Sequence, residues 1–190
     1  VTTEQIQAEA GELTEENIIW SSRQHHDWQR EGNPVGYYAP NMEPKSVAAK
    51  TLILAHKNVT VPEISPKRLE DDYIYEVNWE GEIIWEWLAS DHVDEFGFSE
   101  EARNAIHRSV QWNERRQSAD WLHINSASYV GENKWYDDGD ERFHPDNIII
   151  SAREANITAI INRAGNIVWR IGPDFSKTKE QAELGQIIGQ

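Results

Sequence analysis

The sequence predicts an all-β chain in which one four-stranded antiparallel unit is used twice, with a helical insertion between the copies. Three observations predict it. A hairpin pattern recurs, because YEVNWEGEIIWEW at 75–87 and AIINRAGNIVWRI at 159–171 place Asn78 and Asn162, Gly81 and Gly165, Ile83 and Ile167, and Trp85 and Trp169 at one offset of 84. An apolar strand precedes each hairpin: TLILAHK at 51–57 matches NIIISAR at 147–153 at an offset of 96. A His-x-Asp/Asn strand comes before that, since QHHDW at 24–28 can be laid on WLHIN at 121–125, pairing His25 with His123 and Asp27 with Asn125 at an offset of 98. Short antiparallel units repeated along a chain are how β-propeller blades are written in sequence.

Taken in order, the first unit runs over 24–89. Its His-bearing strand and its apolar strand are followed by PEISPKRLEDD at 62–72, whose two prolines and charges read as a loop. That loop absorbs the 12-residue difference between offsets 96 and 84. The hairpin turns Asn78-Trp79-Glu80-Gly81 and Asn162-Arg163-Ala164-Gly165 have Asn first, which bonds its own backbone, and Gly last, which tolerates positive φ. The insertion is placed at 98–117: Ser99 before Glu100 and Glu101 resembles a helix start, and Ala102, Ile106 and Val110 share a helical stripe. The second unit covers 120–172, and 173–190 reads as the start of a next blade, all 190 residues being part of one domain. A rival register lays NIIWSSRQ at 17–24 on NIIISARE at 147–154.

Composition narrows the function. A formal net charge of -15 disfavours a nucleic-acid partner or an anionic membrane surface, both of which call for clustered Lys and Arg. No apolar run approaches the roughly 20 residues of a membrane span, so no membrane insertion is expected. The chain has no cysteine, which removes disulfides, thiolate metal sites and cysteine nucleophiles. Residues two apart on a strand share a face, so His123 and Asn125 are expected side by side, with Leu122 and Ile124 opposite. The same rule sends the adjacent His25 and His26 to opposite faces, so that at most one of them lines a site.

These residues carry a resemblance. HHDWQREGNPVGYY, DWLHINSASY, NIIISARE and AIINRAGNIVWRIG resemble the bacterial arylsulfotransferase family, over about His25 to Gly172. The resemblance implies a six-bladed β-propeller with its site in the central channel, of which this chain supplies two blades. It implies transfer of a sulfuryl group from an aryl sulfate to a phenol through a sulfated histidine, with no metal or nucleotide cofactor. His123 and Asn125 match the family's channel His-x-Asn, Arg153 matches its channel arginine, and His25 best matches an upstream channel histidine. The nucleophilic histidine falls on a later blade, just past Gln190, so the isolated chain is expected to be inactive. The remaining blades, of the same protein or of partner chains, are the other implied partners, and the setting implied is periplasmic or extracellular.

The residues suit that chemistry. A sulfuryl group in flight is anionic, and positioning plus electrostatic stabilisation is what the protein can offer it. Arg153 has a planar fork of donors for a tetrahedral oxyanion, Asn125 a neutral donor, and His123 or His25 a proton for the leaving phenolate. A local positive potential inside an acidic shell is expected. The run DHVDEF at 91–96 places His92 among Asp91, Asp94 and Glu95, but such acidic loops are more often solvated than metal-binding. The same holds for DDGDER at 137–142. Trp85 and Trp169 read as packing residues. Two other functions compete: a non-catalytic propeller for binding or scaffolding, and a quinone- or sugar-binding propeller suggested by the Trp hairpins.

Overall fold

The computed structural model describes residues 23–32, 45, 47–109, 111–113 and 117–173. The expected start of a next blade at 173–190 and the rival register at 17–24 lie almost wholly outside them.

The described residues form two β-sheets of six and four strands with few helices and no closed barrel. In the first sheet, β1 (Gln24–Arg30), β2 (Thr51–Val59), β3 (Leu69–Val77) and β4 (Ile83–Leu88) pair antiparallel in sequence order. β2 and β3 pair without a break from Thr51↔Val77 to Val59↔Leu69. After a 3-10 turn at Ala89–His92 comes helix α1 (Glu100–Ser109). Ser99 Oγ accepts from Ala102 N at 3.2 Å, with acidic side chains in the first turn and His107 and Arg108 in the last, as the helix dipole favours. Ala102 and Ile106 pack on the core, whereas Val110 lies outside the described residues.

The insertion is more than a helix. β5 (Gln111–Asn113) and β6 (Ser118–Asp120) form a short antiparallel pair, and β6 runs parallel to the beginning of β3 through Leu69↔Ala119 and Glu70↔Asp120. It occupies the stretch of β3 that β4 leaves unpaired, since β4 reaches only Tyr73–Val77. The second sheet is a meander of β7 (Ile124–Tyr129), β8 (Ile148–Ala152), β9 (Ile157–Ile161) and β10 (Ile167–Ile171). A one-turn helix α2 (Lys134–Asp137), capped by Asn133, sits in the β7–β8 connection.

One hydrophobic cluster lies between the sheets. Leu52, Leu54 and Ile74 of the first meet Ile124, Ile148, Ile150 and Ile157 of the second, with Trp87, Phe96 and Trp121 filling the seam. Polar bonds then lock the sheets together. β7 is an edge strand whose outward N–H groups need acceptors. Asp72 Oδ2 takes Ile124 N at 3.0 Å, Asp27 Oδ2 takes Ala127 N at 3.1 Å, and Gln29 Oε1 takes Tyr129 N at 2.7 Å. The three-residue step from 124 to 127 reflects a register shift between Ile124 and Ser126. At the far ends, Trp85 Nε1 donates to Arg163 O at 3.1 Å and Trp87 Nε1 to Gly165 O at 3.0 Å.

Two expectations need correcting. The loop assigned to 62–72 ends at Arg68, because Leu69–Asp72 already belong to β3 and are buried. Three consecutive acidic residues can be buried in a strand only when donors meet them. Asp71 accepts from Ser90 N at 2.9 Å and Trp121 Nε1 at 2.6 Å, Asp72 from Ile124 N, and Glu70 from Arg23 Nη2 at 2.9 Å. Second, β1 is not a regular strand. Burial still alternates from Gln24 to Gln29 and His26 is exposed, but its φ of +52° and the pairing shift between Gln24 and Trp28 bring its ring within 5.1 Å of that of His25 instead of parting the two to opposite faces.

Candidate functional site: a histidine cluster at the sheet junction

Four of the seven histidines meet where β1, β2 and the start of β7 converge. The odd-numbered residues His25, Asp27 and Gln29 of β1 point toward the second sheet; the latter two hold β7, and His25 enters the cluster. The irregular turn at His26 swings its ring in beside them, 5.1 Å from His25 between ring centres. His56 reaches it from β2, following Leu52 and Leu54 on the buried parity of that strand. His123 has φ +53° and stands just before β7, with Leu122 and Ile124 both buried.

The cluster has two layers. In one, the His25 and His56 rings stack with centres 3.5 Å apart and planes 14° from parallel. His25 Nε2 lies 3.3 Å and His56 Nε2 3.6 Å from the same oxygen, Oδ1 of the fully buried Asp72. His56 Nδ1 faces Glu70 Oε1 at 3.2 Å, and Arg23 holds that same oxygen from the other side. In the second layer, His26 Nε2 and His123 Nε2 are 2.9 Å apart, and the other nitrogen of His123 bonds Asp120. A 2.9 Å contact between two ring nitrogens requires one to donate and the other to accept. With Asp120 accepting from Nδ1–H, His123 turns its Nε2 to His26. Burial, followed by the charges of His25, His123, His56 and Arg153, holds the His26 imidazole below its ordinary range. Beneath the cluster, burial pushes Asp71 up to about 6, with the charge of Asp72 adding and the bonds from Ser90 and Trp121 opposing.

The site residues anticipated from sequence divide accordingly. His25 and His123 are brought together, 6.3 Å between ring centres. Arg153 is tied to the same corner by its backbone, Arg153 N donating to His123 O at 3.0 Å, but its guanidinium engages the neighbouring Glu154. Asn125 is exposed and does not share a strand face with His123, because His123 precedes the strand and the bulge follows. Asp27, matched to Asn125 in the alignment of units, is a clamp on β7. His26, His56, Asp72 and Asp120 were not anticipated. His56 carried a signal, a histidine on the apolar face of a strand; Asp72 was hidden in a run that looks like a solvated loop.

Charge in the cluster is set by Glu70, Asp72 and Asp120 against Arg23 and Arg153. A positive potential there therefore needs protonated imidazoles or a bound cation. The acidic run at 91–96 is structural: His92 stacks on Trp87 with ring centres 5.0 Å apart and bonds Glu95 Oε1 at 2.6 Å, Glu95 Oε2 accepts from Ile167 N, and Asp94 pairs with Arg103. In 137–142, Asp140 is taken up by Arg142.

The described residues are mostly β, and their two sheets are compatible with propeller-like blades. The family model described as Arylsulfotransferase (ASST) matches residues 16–183, and the chain belongs to that family. No match is found among curated proteins or among solved structures.

Proposed function

We propose that the chain forms part of an arylsulfotransferase-like enzyme that moves a sulfuryl group from an aryl sulfate to a phenol, with the histidine cluster as its site. Family membership supports the reaction class. The observation that carries the site is the line Asp120–His123–His26, a carboxylate that orients an imidazole whose second nitrogen meets another polar partner. That arrangement sets a tautomer and a direction for proton transfer. On this reading the S–O(aryl) bond breaks as a bond from sulfur to a histidine nitrogen forms, and the departing phenolate takes a proton from His123, His26 or His25, a cluster that must hold one added proton before this step and regains it from the acceptor phenol in the second half-reaction. An acceptor phenol then reverses the sequence. Arg153, released from Glu154, offers donors to the sulfuryl oxygens, whereas Asn125, exposed and off the face of His123, is left out of the site. The sulfated histidine is assigned past Gln190; the matching Asn-x-x-Gly hairpins of the two meanders support a repeated blade, while the count of six blades and an exported setting rest on the family resemblance alone.

The test uses the intact protein with a chromogenic aryl sulfate and a phenol acceptor. General acid–base contributions run to about 10²–10⁴-fold. His123→Ala and Asp120→Asn are expected to lower turnover at least 100-fold, by order of magnitude, and Arg153→Ala to raise KM for the sulfate ester. His92→Ala, outside the cluster, is the control. Rates within twofold of wild type in the His123 and Asp120 variants, with the fold intact, would show that the cluster serves binding or scaffolding instead.

A further inference from the structure

The buried layer of the cluster is unfinished. Among the described residues, His25 Nδ1 and Nε2, His56 Nε2 and Asp72 Oδ1 are buried and lack a hydrogen-bond partner. Such orphans are uncommon, and a carboxylate oxygen without a donor is the costliest kind. Here they converge, since His25 Nε2 and His56 Nε2 both point at Asp72 Oδ1, from 3.3 and 3.6 Å. Among the described residues, Asp72 takes the Ile124 N–H on its other oxygen, and Glu70 meets Arg23.

We propose that His25, His56 and Asp72 bind one divalent transition-metal ion of the zinc class. One nitrogen from each ring and one carboxylate oxygen lie within 4.8 Å of one another. Metal–ligand bonds of about 2.0–2.2 Å at tetrahedral angles separate ligand atoms by about 3.3–3.6 Å, and the distances to Asp72 Oδ1 fall in that range. The donor set of two imidazoles and one carboxylate suits borderline cations rather than calcium or magnesium. The support behind the ligands is also that of a metal site: Glu70 faces the far nitrogen of His56, and the Ile124 N–H fixes the second oxygen of Asp72. Imidazole lone pairs lie in the ring plane, so the rings, now 14° from parallel, must open toward the ion on binding. Three protein ligands leave a fourth position, and the His123 ring stands at equal reach from both histidines, 6.3 and 6.5 Å between centres. His25 is then a ligand rather than a proton donor. The inference stands apart from the sulfuryl-transfer reading, which no result below decides.

The test is metal binding itself. Chelator-treated protein is titrated with zinc by calorimetry and with cobalt(II) by visible absorption, which reports tetrahedral coordination directly. One equivalent bound at micromolar or tighter Kd is expected. Asp72→Asn, which keeps an oxygen for Ile124, and His56→Gln are each expected to weaken binding at least tenfold, while His92→Ala binds as wild type. Either ligand variant suffices if the other fails to fold. No stoichiometric binding by wild type overturns the proposal. So does undiminished binding in the ligand variants, including the case where His123→Ala abolishes it and the ion sits between His26 and His123.

Discussion

Glu76 shows how one buried residue couples charge to the fold. It lies fully buried on β3, where it takes the Tyr129 hydroxyl and pairs with Arg163 at 2.6 Å and Lys50 at 3.2 Å. Burial works against its charge, but the bonds from Tyr129 and Arg163 and the charges of Arg163 and Lys50 outweigh it and hold the carboxyl below the ordinary 4.5. A carboxylate whose folded value is depressed binds fewer protons than in the unfolded chain. Its stabilisation is therefore complete above about pH 4.5 and is lost as pH falls through the lower folded value. Glu76→Gln is expected to cost about 1–3 kcal/mol at pH 7, less than a fully enclosed pair because Arg163 and Lys50 are partly exposed. In urea unfolding at graded pH, the gap between wild type and variant should narrow below about pH 4.5. A constant gap down to pH 2.5 would mean that packing, not charge, is what Glu76 supplies.

At the scale of elements, the hairpin turns were the most legible part of the sequence. Both form the expected bonds, Gly81 N to Asn78 O and Gly165 N to Asn162 O, with φ of +87° and +91° at the glycines. Gly165→Ala puts a Cβ on a left-handed backbone and is expected to cost about 1 kcal/mol. Space is not the reason, since the nearest atoms to that Cβ would be 3.8 Å away. Trp87→Phe keeps an aromatic ring in the core yet leaves the Gly165 carbonyl without its indole donor, for about another 1 kcal/mol or more. Thermal melts check both, and no loss in either variant would mean that the hairpin end is not held by these features. The apolar strands and the helix start at Ser99 were equally readable, because local propensity and pattern decide them. The start of β3, the β5–β6 pair and half of the cluster were not. Asp71 and Asp72 can be buried because Ser90, Trp121 and Ile124, all distant in sequence, supply donors. His26 enters the cluster only through an irregular backbone that no alternation rule foretells. Long-range satisfaction and strain leave no local trace, and they concentrate at the site.

At the scale of the whole molecule, the two sheets complete each other. The edge strand β7 gives its free N–H groups to Asp27, Gln29 and Asp72 of the first sheet, and the β4 indoles give theirs to carbonyls of the second hairpin. Arg163 answers Glu76, and the side chains of both sheets share one hydrophobic cluster. Separating the sheets would expose that cluster and strand several buried polar groups at once, each worth about 1–3 kcal/mol. The described residues should therefore unfold as one cooperative unit rather than sheet by sheet. In native-state hydrogen exchange, the slowest amides of β3 and of β8 and β9 are expected to open with a common free energy. Glu76→Gln, although it lies in the first sheet, should lower both by the same amount. Two separate transitions, or a drop confined to β3, would show that the sheets are independently stable and that the bonds across the junction only align them.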